Sequence, residues 1–102
     1  MQAKINKQDE GSYAIEGELN MQTVPSVSKQ LLKLISNTDG DTFNLDLALV
    51  SRSDSAGVAL LVDVMQIANR TKCTLSFSHL PQQMQDIAGI SGLLDILPLS
   101  KN

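Results

Sequence analysis

The sequence predicts a single α/β domain over residues 1–102, with a mixed sheet of four to five strands and about three helices packed against it. Segments with an apolar residue at every second position alternate along the chain with segments in which apolar residues recur at helical spacing. Their order, β-β-α-β-α-β-α, is typical of a mixed sheet covered by helices. A single core is expected, because a domain of about 100 residues buries roughly two-thirds of its unfolded surface.

Two strands are predicted at the start of the chain. A weak strand begins at Ile5 and ends at the polar run 7–11. The alternation of polar and apolar residues over 12–16 predicts a second strand, which reverses through that run. Residues 17–19 are then expected to leave the strand.

The first helix is predicted from its cap and its apolar spacing. Thr23 or Ser26 can cap it, with Pro25 in its first turn. The run Asn-Thr-Asp-Gly at 37–40 predicts its end. The apolar residues at helical spacing are Val27, Leu31, Leu34 and Ile35.

The middle of the chain predicts a strand over 42–47, a short polar turn, and a helix over 55–70. The apolar residues of the strand share one face, and Asn44 and Asp46 lie on the other. At 100° per residue, the inward face of the helix is formed by Leu60, Leu61, Val64, Met65 and Ala68. The N-terminal half of the opposite face carries small or apolar side chains, which makes that outer surface smooth.

The last third of the chain predicts a fourth strand and a third helix. Residues 74–78 alternate and predict the strand. The helix is expected from Pro81, in its first turn, to Gly89. The apolar segment 90–97 is expected to pack as a loop or a short strand before Pro98.

Composition excludes several classes of function. A net charge of −3 with no basic patch argues against nucleic-acid binding. Cys73 is the one cysteine, which rules out an internal disulfide, and with His79 it falls short of a metal-ligand set. We expect no metal and no cofactor. No nucleophile lies at motif spacing from a base, so we expect no catalytic residue and no enzyme activity.

The sequence also predicts the cellular compartment of the chain. Its first ten residues are polar and lack the apolar core of a signal peptide. The longest apolar stretch, 57–62, is interrupted by Asp63, so no direct membrane insertion is expected. We therefore expect a cytoplasmic protein.

The start of the helix over 55–70 is the candidate functional site. Unpaired N–H groups and the helix dipole favour a carboxylate, a hydroxyl or a phosphate there, and Asp54 and Ser55 occupy that position. Three interpretations of Ser55 are open: a helix N-cap, a phosphorylation site, and a contact with a partner protein. Asp46 and Asp54 are expected to bind N–H groups of turns, with Asp46 in a supporting polar pocket beside Ser55.

The predicted partner-binding surface combines the start of the helix over 55–70 with the smooth outer face of that helix. Arg52, in the preceding turn, is either a solvated turn residue or a partner contact, and it is included because arginine is enriched in interface hot spots. The surface comprises Arg52, Ser53, Asp54, Ser55, Ala56, Ala59, Val62 and Asp63.

Four short segments follow one another in the order of a known family. They are Gly-Glu-Leu at 17–19, Leu-Asp-Leu at 45–47, Asp-Ser-Ala-Gly at 54–57, and the segment 90–97 that contains Ser-Gly-Leu. The chain resembles the STAS domain family, which includes bacterial anti-sigma factor antagonists and the cytoplasmic tails of anion transporters. Asn20 stands where the family's Gly-Glu-Leu-Asp motif has its aspartate.

Other residues resemble one branch of this family. Antagonists usually have an apolar pair before the helix-start aspartate, where this chain has Arg52 and Ser53. Val-Ser-Arg at 50–52, Ala-Leu-Leu at 59–61 and Ile-Leu-Pro at 96–98 are similar to the MlaB-type subunits of the Mla phospholipid ABC transporter. The resemblance implies a cytoplasmic subunit, peripheral to the inner membrane, that binds and supports the ABC transporter ATPase subunit. The transporter would maintain outer-membrane lipid asymmetry.

The family resemblance also implies an alternative function. In that alternative, the chain is an anti-sigma factor antagonist whose partner is an anti-sigma factor kinase. Phosphorylation of Ser55 would then regulate the interaction.

Overall fold

The computed structural model describes residues 3–37 and 42–100, in which five strands and three helices follow in the order β-β-α-β-β-α-β-α. The strands are β1 (Lys4–Asp9), β2 (Ser12–Leu19), β3 (Thr42–Asp46), β4 (Val50–Ser53) and β5 (Thr74–Ser78). The helices are α1 (Val24–Ser36), α2 (Ser55–Arg70) and α3 (Gln82–Ile90). This mixed α/β architecture confirms the predicted fold class.

The strand β2 is the central element of the sheet. It pairs antiparallel with β1, and its N-terminal half pairs parallel with β3, which in turn pairs parallel with β5. The C-terminal half of β2 pairs parallel with β4 instead, with Gly17 opposite Val50 and Leu19 opposite Ser53. The end of β2 therefore lies beside the residues that lead into α2.

The two faces of the sheet differ in chemistry. The register aligns Tyr13, Leu45 and Phe77 across three strands, and these positions belong to the apolar face. That face and the inner sides of the helices form one core, which includes Ile15, Leu19, Leu31, Phe43, Leu45, Leu60, Leu61, Phe77 and Met84. The opposite face carries one polar row, Ser12, Asn44 and Ser76, and a second row in which the polar Asp46 and Ser78 align with the buried Ala14.

Several predicted boundaries are confirmed. α2 and β5 have the predicted bounds, and α3 differs by one residue at each end. Thr23 occupies the N-cap position of α1, although its side chain makes no capping hydrogen bond. α1 ends before Asn37, and residues 38–40 of the predicted stop lie outside the described residues.

Two predictions about the strands are wrong. Residues 17–19 do not leave β2, because pairing with β4 continues the strand through glycine and glutamate despite their low strand propensity. The predicted polar turn before α2 contains β4, a four-residue strand in which the first and last residues are buried and the two between are exposed. That pattern does not alternate, so periodicity could not reveal it.

Smaller differences occur at the ends of the chain. β1 continues through the polar run to Asp9. The segment 91–97 forms turns, as its loop alternative predicts. The strand-like pairing comes after Pro98, where Leu99 forms a parallel bridge with Phe77.

α2 begins in close contact with the strands beneath it. A Cβ atom on Gly57 would overlap the Ser53 hydroxyl and would lie 3.1 Å from Cβ of Leu19. Glycine at this position therefore allows the helix to approach β2 and β4.

We expect Gly57→Ala to lower the free energy of unfolding by about 1–3 kcal/mol, because the added methyl group must displace Ser53 from a packed site. Urea unfolding of the purified chain measures this. Gly89→Ala in α3 is the matched control, because a Cβ atom there meets nothing within 4 Å. The control should be neutral or stabilising by up to about 1 kcal/mol. Equal losses in the two variants would contradict the close approach.

Candidate functional site

Asp54 sets the start of α2. Its Oδ1 accepts a hydrogen bond from the backbone N–H of Ala56 at 2.8 Å, so Asp54 is the helix N-cap. Its own N–H donates to the carbonyl of Leu19 at 3.2 Å, which ties the helix start to β2. The interpretation of Ser55 as the N-cap is therefore wrong, since Ser55 is the first residue of the helix. The prediction that Asp54 binds an N–H group at this position is confirmed.

Ser55 is exposed, and its hydroxyl makes no hydrogen bond within the described residues. It lies at the positive end of the α2 dipole, where added negative charge is tolerated. An accessible hydroxyl is required both for phosphorylation and for contact with a partner. Both interpretations stay predictions.

Ser53 does not lie on the predicted partner-binding surface. The residue is only 5% exposed, which corrects its assignment as a partner contact. Its N–H donates to Oε1 of Gln83 at 2.7 Å, and its hydroxyl donates to the carbonyl of Asp54 at 3.0 Å. Ser53 therefore supports the start of α2 from below.

The other predicted residues reach the surface. Ala59 and Asp63 are exposed on the outer side of α2, and Val62 is half-buried between them. Together these residues form the α2 surface, which comprises Arg52, Asp54, Ser55, Ala56, Ala59, Val62 and Asp63.

A small pocket of about 130 Å³ adjoins the α2 surface. Three segments contribute to it: the end of β2, the end of β4 and the start of α3. Its lining residues are Glu18, Leu19, Asn20, Arg52, Ser53, Asp54 and Gln83. Sequence reasoning missed Glu18, Asn20 and Gln83 as parts of the site, because their proximity depends on the β2–β4 pairing.

Asn20 organises the loop that follows β2. Its Oδ1 accepts the N–H groups of Gln22 and Thr23, and its Nδ2 donates to Oε2 of Glu18 at 3.0 Å. The Thr23 hydroxyl donates to the carbonyl of Glu18 and accepts the N–H of Asn20. These bonds engage the Thr23 hydroxyl, which explains why it does not cap α1.

Asp46, predicted to lie in a supporting polar pocket beside Ser55, is not among the residues that line the pocket adjoining the α2 surface. It belongs to the polar face of the sheet. Its Oδ1 accepts a hydrogen bond from the Ala48 N–H at 2.9 Å and lies 3.0 Å from Nδ1 of His79. Its Oδ2 accepts a hydrogen bond from Nε2 of Gln8 at 3.2 Å. The prediction that Asp46 binds an N–H group of a turn is confirmed.

The surroundings of Asp46 also set its pKa. Burial acts to raise the pKa, whereas the hydrogen bonds from Ala48, His79 and Gln8 act to lower it. The net result is a pKa below the ordinary value of 3.8. The ionised carboxylate is therefore favoured in the folded chain.

Two structural properties bear on membranes and metals. Within residues 3–37 and 42–100, no helix has the length and hydropathy to cross a bilayer. The same residues contain no group of three or more His, Cys, Asp or Glu side chains arranged to hold a metal ion.

One family model matches most of the chain. The family model described as "Mlab, STAS domain" matches residues 5–98. A search of curated proteins gives no match.

Solved structures share the fold. SpoIIAA, a Bacillus cell fate determinant solved in the phosphorylated form, has a TM-score of 0.69 at 18% identity over 98% of this chain and 92% of that chain. An anti-sigma factor antagonist from Mycobacterium paratuberculosis has a TM-score of 0.76 at 17% identity over 98% and 85%. SLC26A9 has a TM-score of 0.67 at 12% identity over 88% of this chain and 17% of its own length. At these identities the structures establish the fold alone.

The lowered pKa of Asp46 predicts a pH dependence of stability. An unfolded chain protonates this carboxylate near pH 3.8, whereas the folded chain holds it ionised to lower pH. Its contribution is therefore fully present above the unfolded pKa and is lost as the pH falls through the folded pKa. Asp46→Asn does not titrate and keeps an acceptor for Ala48, so its stability should fall less steeply than that of the wild type below about pH 4.

Urea unfolding at a series of pH values measures this difference. Asp95→Asn, at an exposed position, is the control and should follow the wild type. If the stability of Asp46→Asn and that of the wild type change with pH in parallel, the lowered pKa of Asp46 is contradicted.

Proposed function

The chain belongs to the STAS domain family, and on that premise we propose that it is a non-catalytic subunit that binds the ATPase of an inner-membrane ABC phospholipid transporter. In this role it supports the ATPase of a transporter that maintains outer-membrane lipid asymmetry. It acts in the cytoplasm, held at the membrane by its partner. It acts through contact alone and uses no metal or cofactor.

The exposed start of α2 is the observation that carries this proposal. Ser55 and Ala59 are exposed small residues there, and Val62 continues the surface with a half-buried apolar side chain. Small side chains allow a partner to approach the helix closely. The burial of apolar surface then contributes to binding without a chemical step.

Two further features favour a transporter ATPase as the partner. The matching family model carries the Mlab description over residues 5–98. Arg52 is exposed two residues before the N-cap Asp54, where antagonists usually have an apolar residue. An exposed arginine suits a polar interface with an ATPase.

A second candidate function is an anti-sigma factor antagonist. The hydroxyl of Ser55 favours it, because a kinase must reach that atom, and the residue is exposed with no hydrogen bond from its hydroxyl to the described part of the chain. The fold shared with a phosphorylated SpoIIAA and with a mycobacterial antagonist also favours it. In this function the partner is an anti-sigma factor kinase, and phosphorylation of Ser55 switches binding.

We expect Ala59→Arg to abolish co-purification with the co-expressed ATPase. Ala59 is exposed, so the fold should tolerate arginine, but the bulk and charge would have to be buried against the partner. Gln66→Arg, at an exposed position farther along α2, is the matched control and should bind as the wild type does. If Ala59→Arg also retains full binding, the surface is misplaced.

A series at Ser55 separates the two candidates. For a transporter subunit, Ser55→Thr should be mild because the hydroxyl is kept. Ser55→Asp should bind less than Ser55→Ala, because its charge must be desolvated against the partner. For an antagonist, Ser55→Ala should instead bind the anti-sigma factor kinase constitutively.

A pull-down from the native bacterium, with intact-mass analysis of the captured chain, distinguishes these outcomes. An ABC ATPase together with unmodified Ser55 supports the transporter function. An anti-sigma factor kinase together with a phosphorylated fraction supports the antagonist function and contradicts the first proposal.

A further inference from the structure

We infer that Gln83, in the first turn of α3, is a positioning residue for the α2 surface. Its side chain holds the end of β4, the strand that carries Arg52 and leads directly into Asp54. This inference rests on the proposed function where binding to the ATPase is measured. The measurement of amide hydrogen exchange needs no partner protein.

One edge of β4 has no strand partner among the described residues. Among the described residues, β4 pairs with β2 and with no other strand. The N–H of Asp54 points towards β2, where it donates to the carbonyl of Leu19. Because successive N–H groups of a strand point to opposite sides, the N–H of Ser53 points away from β2.

Gln83 supplies the acceptor that this edge lacks. Its Oε1 accepts the Ser53 N–H at 2.7 Å. Since Ser53 is 5% exposed, water has little access to that N–H, and leaving a buried backbone donor unpaired is costly. Gln83 is itself exposed and lines the pocket beside Ser53, and its side chain links the end of β4 to α3 at this N–H.

The neighbouring glutamines do not make such a connection. Gln82 donates to Asp86 within α3, and Gln85 donates to the carbonyl of Leu80 just before the helix. Gln83 bonds a residue of β4, thirty positions earlier in the chain. Two fully buried residues of α3, Met84 and Ala88, anchor the helix in the core, so Gln83 projects from a fixed backbone.

The bond has consequences beyond Ser53. The hydroxyl of Ser53 donates to the carbonyl of Asp54 and lies against the space left by Gly57. A displacement of Ser53 would therefore shift the N-cap of α2 and the residues beside it. Holding these groups in place before binding lowers the entropy cost of association.

The test compares Gln83→Ala, which removes the acceptor, with Gln83→Glu, which keeps an oxygen in the same position. Gln82→Ala is the matched control from the same turn. Amide hydrogen exchange, followed by NMR on the purified chain, reports on Ser53 and on the capped N–H of Ala56. The amide of Leu31, buried in α1, reports on global unfolding.

In Gln83→Ala, we expect the amides of Ser53 and Ala56 to exchange about tenfold faster relative to the amide of Leu31. We expect the affinity for the purified ATPase to fall about tenfold. Gln83→Glu should restore both values, because its carboxylate still accepts the Ser53 N–H. Gln82→Ala should match the wild type. Recovery in the glutamate variant separates a positioning role from the effect of a lost side chain.

Three results would overturn the inference. They are unchanged Ser53 exchange in Gln83→Ala, faster exchange without loss of affinity, and no recovery in Gln83→Glu. If the wild-type chain does not bind the ATPase, the proposed function is wrong. In that case, exchange at Ser53 and Ala56 decides the positioning role without the partner.

Discussion

The close approach of α2 to the ends of β2 and β4 is the constraint on which the rest of the site depends. It requires a residue without a Cβ atom at Gly57, because the Ser53 hydroxyl and the Leu19 side chain occupy the adjoining space. The backbone N–H of Asp54 bonds to β2, and its side chain caps α2, so a single residue joins strand and helix. The helix start is thus held rigidly from below, which leaves Ser55 free to face outward.

Elements with a strong internal period could be predicted from the sequence, whereas elements defined by their neighbours could not. The bounds of α2 and β5 follow from apolar residues that repeat with the helix or strand period. β4 has no such repeat, and it forms because Gly17 and Leu19 offer a pairing edge. The same pairing keeps those residues in β2, although their local sequence predicts an exit from the strand.

The candidate site likewise contains some features that the sequence predicts and others that depend on the fold. Helical projection places Ser55 and Ala59 on one outer face without knowledge of the fold. The burial of Ser53, the contact of Asp46 with His79 and the contact from Gln83 depend on segments far apart in sequence meeting in space. Strand alternation correctly places Asp46 on the polar face, but it carries no information about the distance to α2.

The polar face of the sheet and the α2 surface differ in how far their polar groups are satisfied within the chain. On the sheet, Nδ2 of Asn44 donates to the hydroxyls of Ser12 and Ser78, and its Oδ1 accepts from Ser76. A partner docking there would gain little, because these groups already have hydrogen-bond partners. The hydroxyl of Ser55 has none within the described residues and can exchange water for a new contact at little cost. Exposed polar groups alone therefore do not mark an interface. Under the proposed function, the start of α2 suits docking better than the polar face of the sheet does, because its exposed hydroxyl lies beside small side chains.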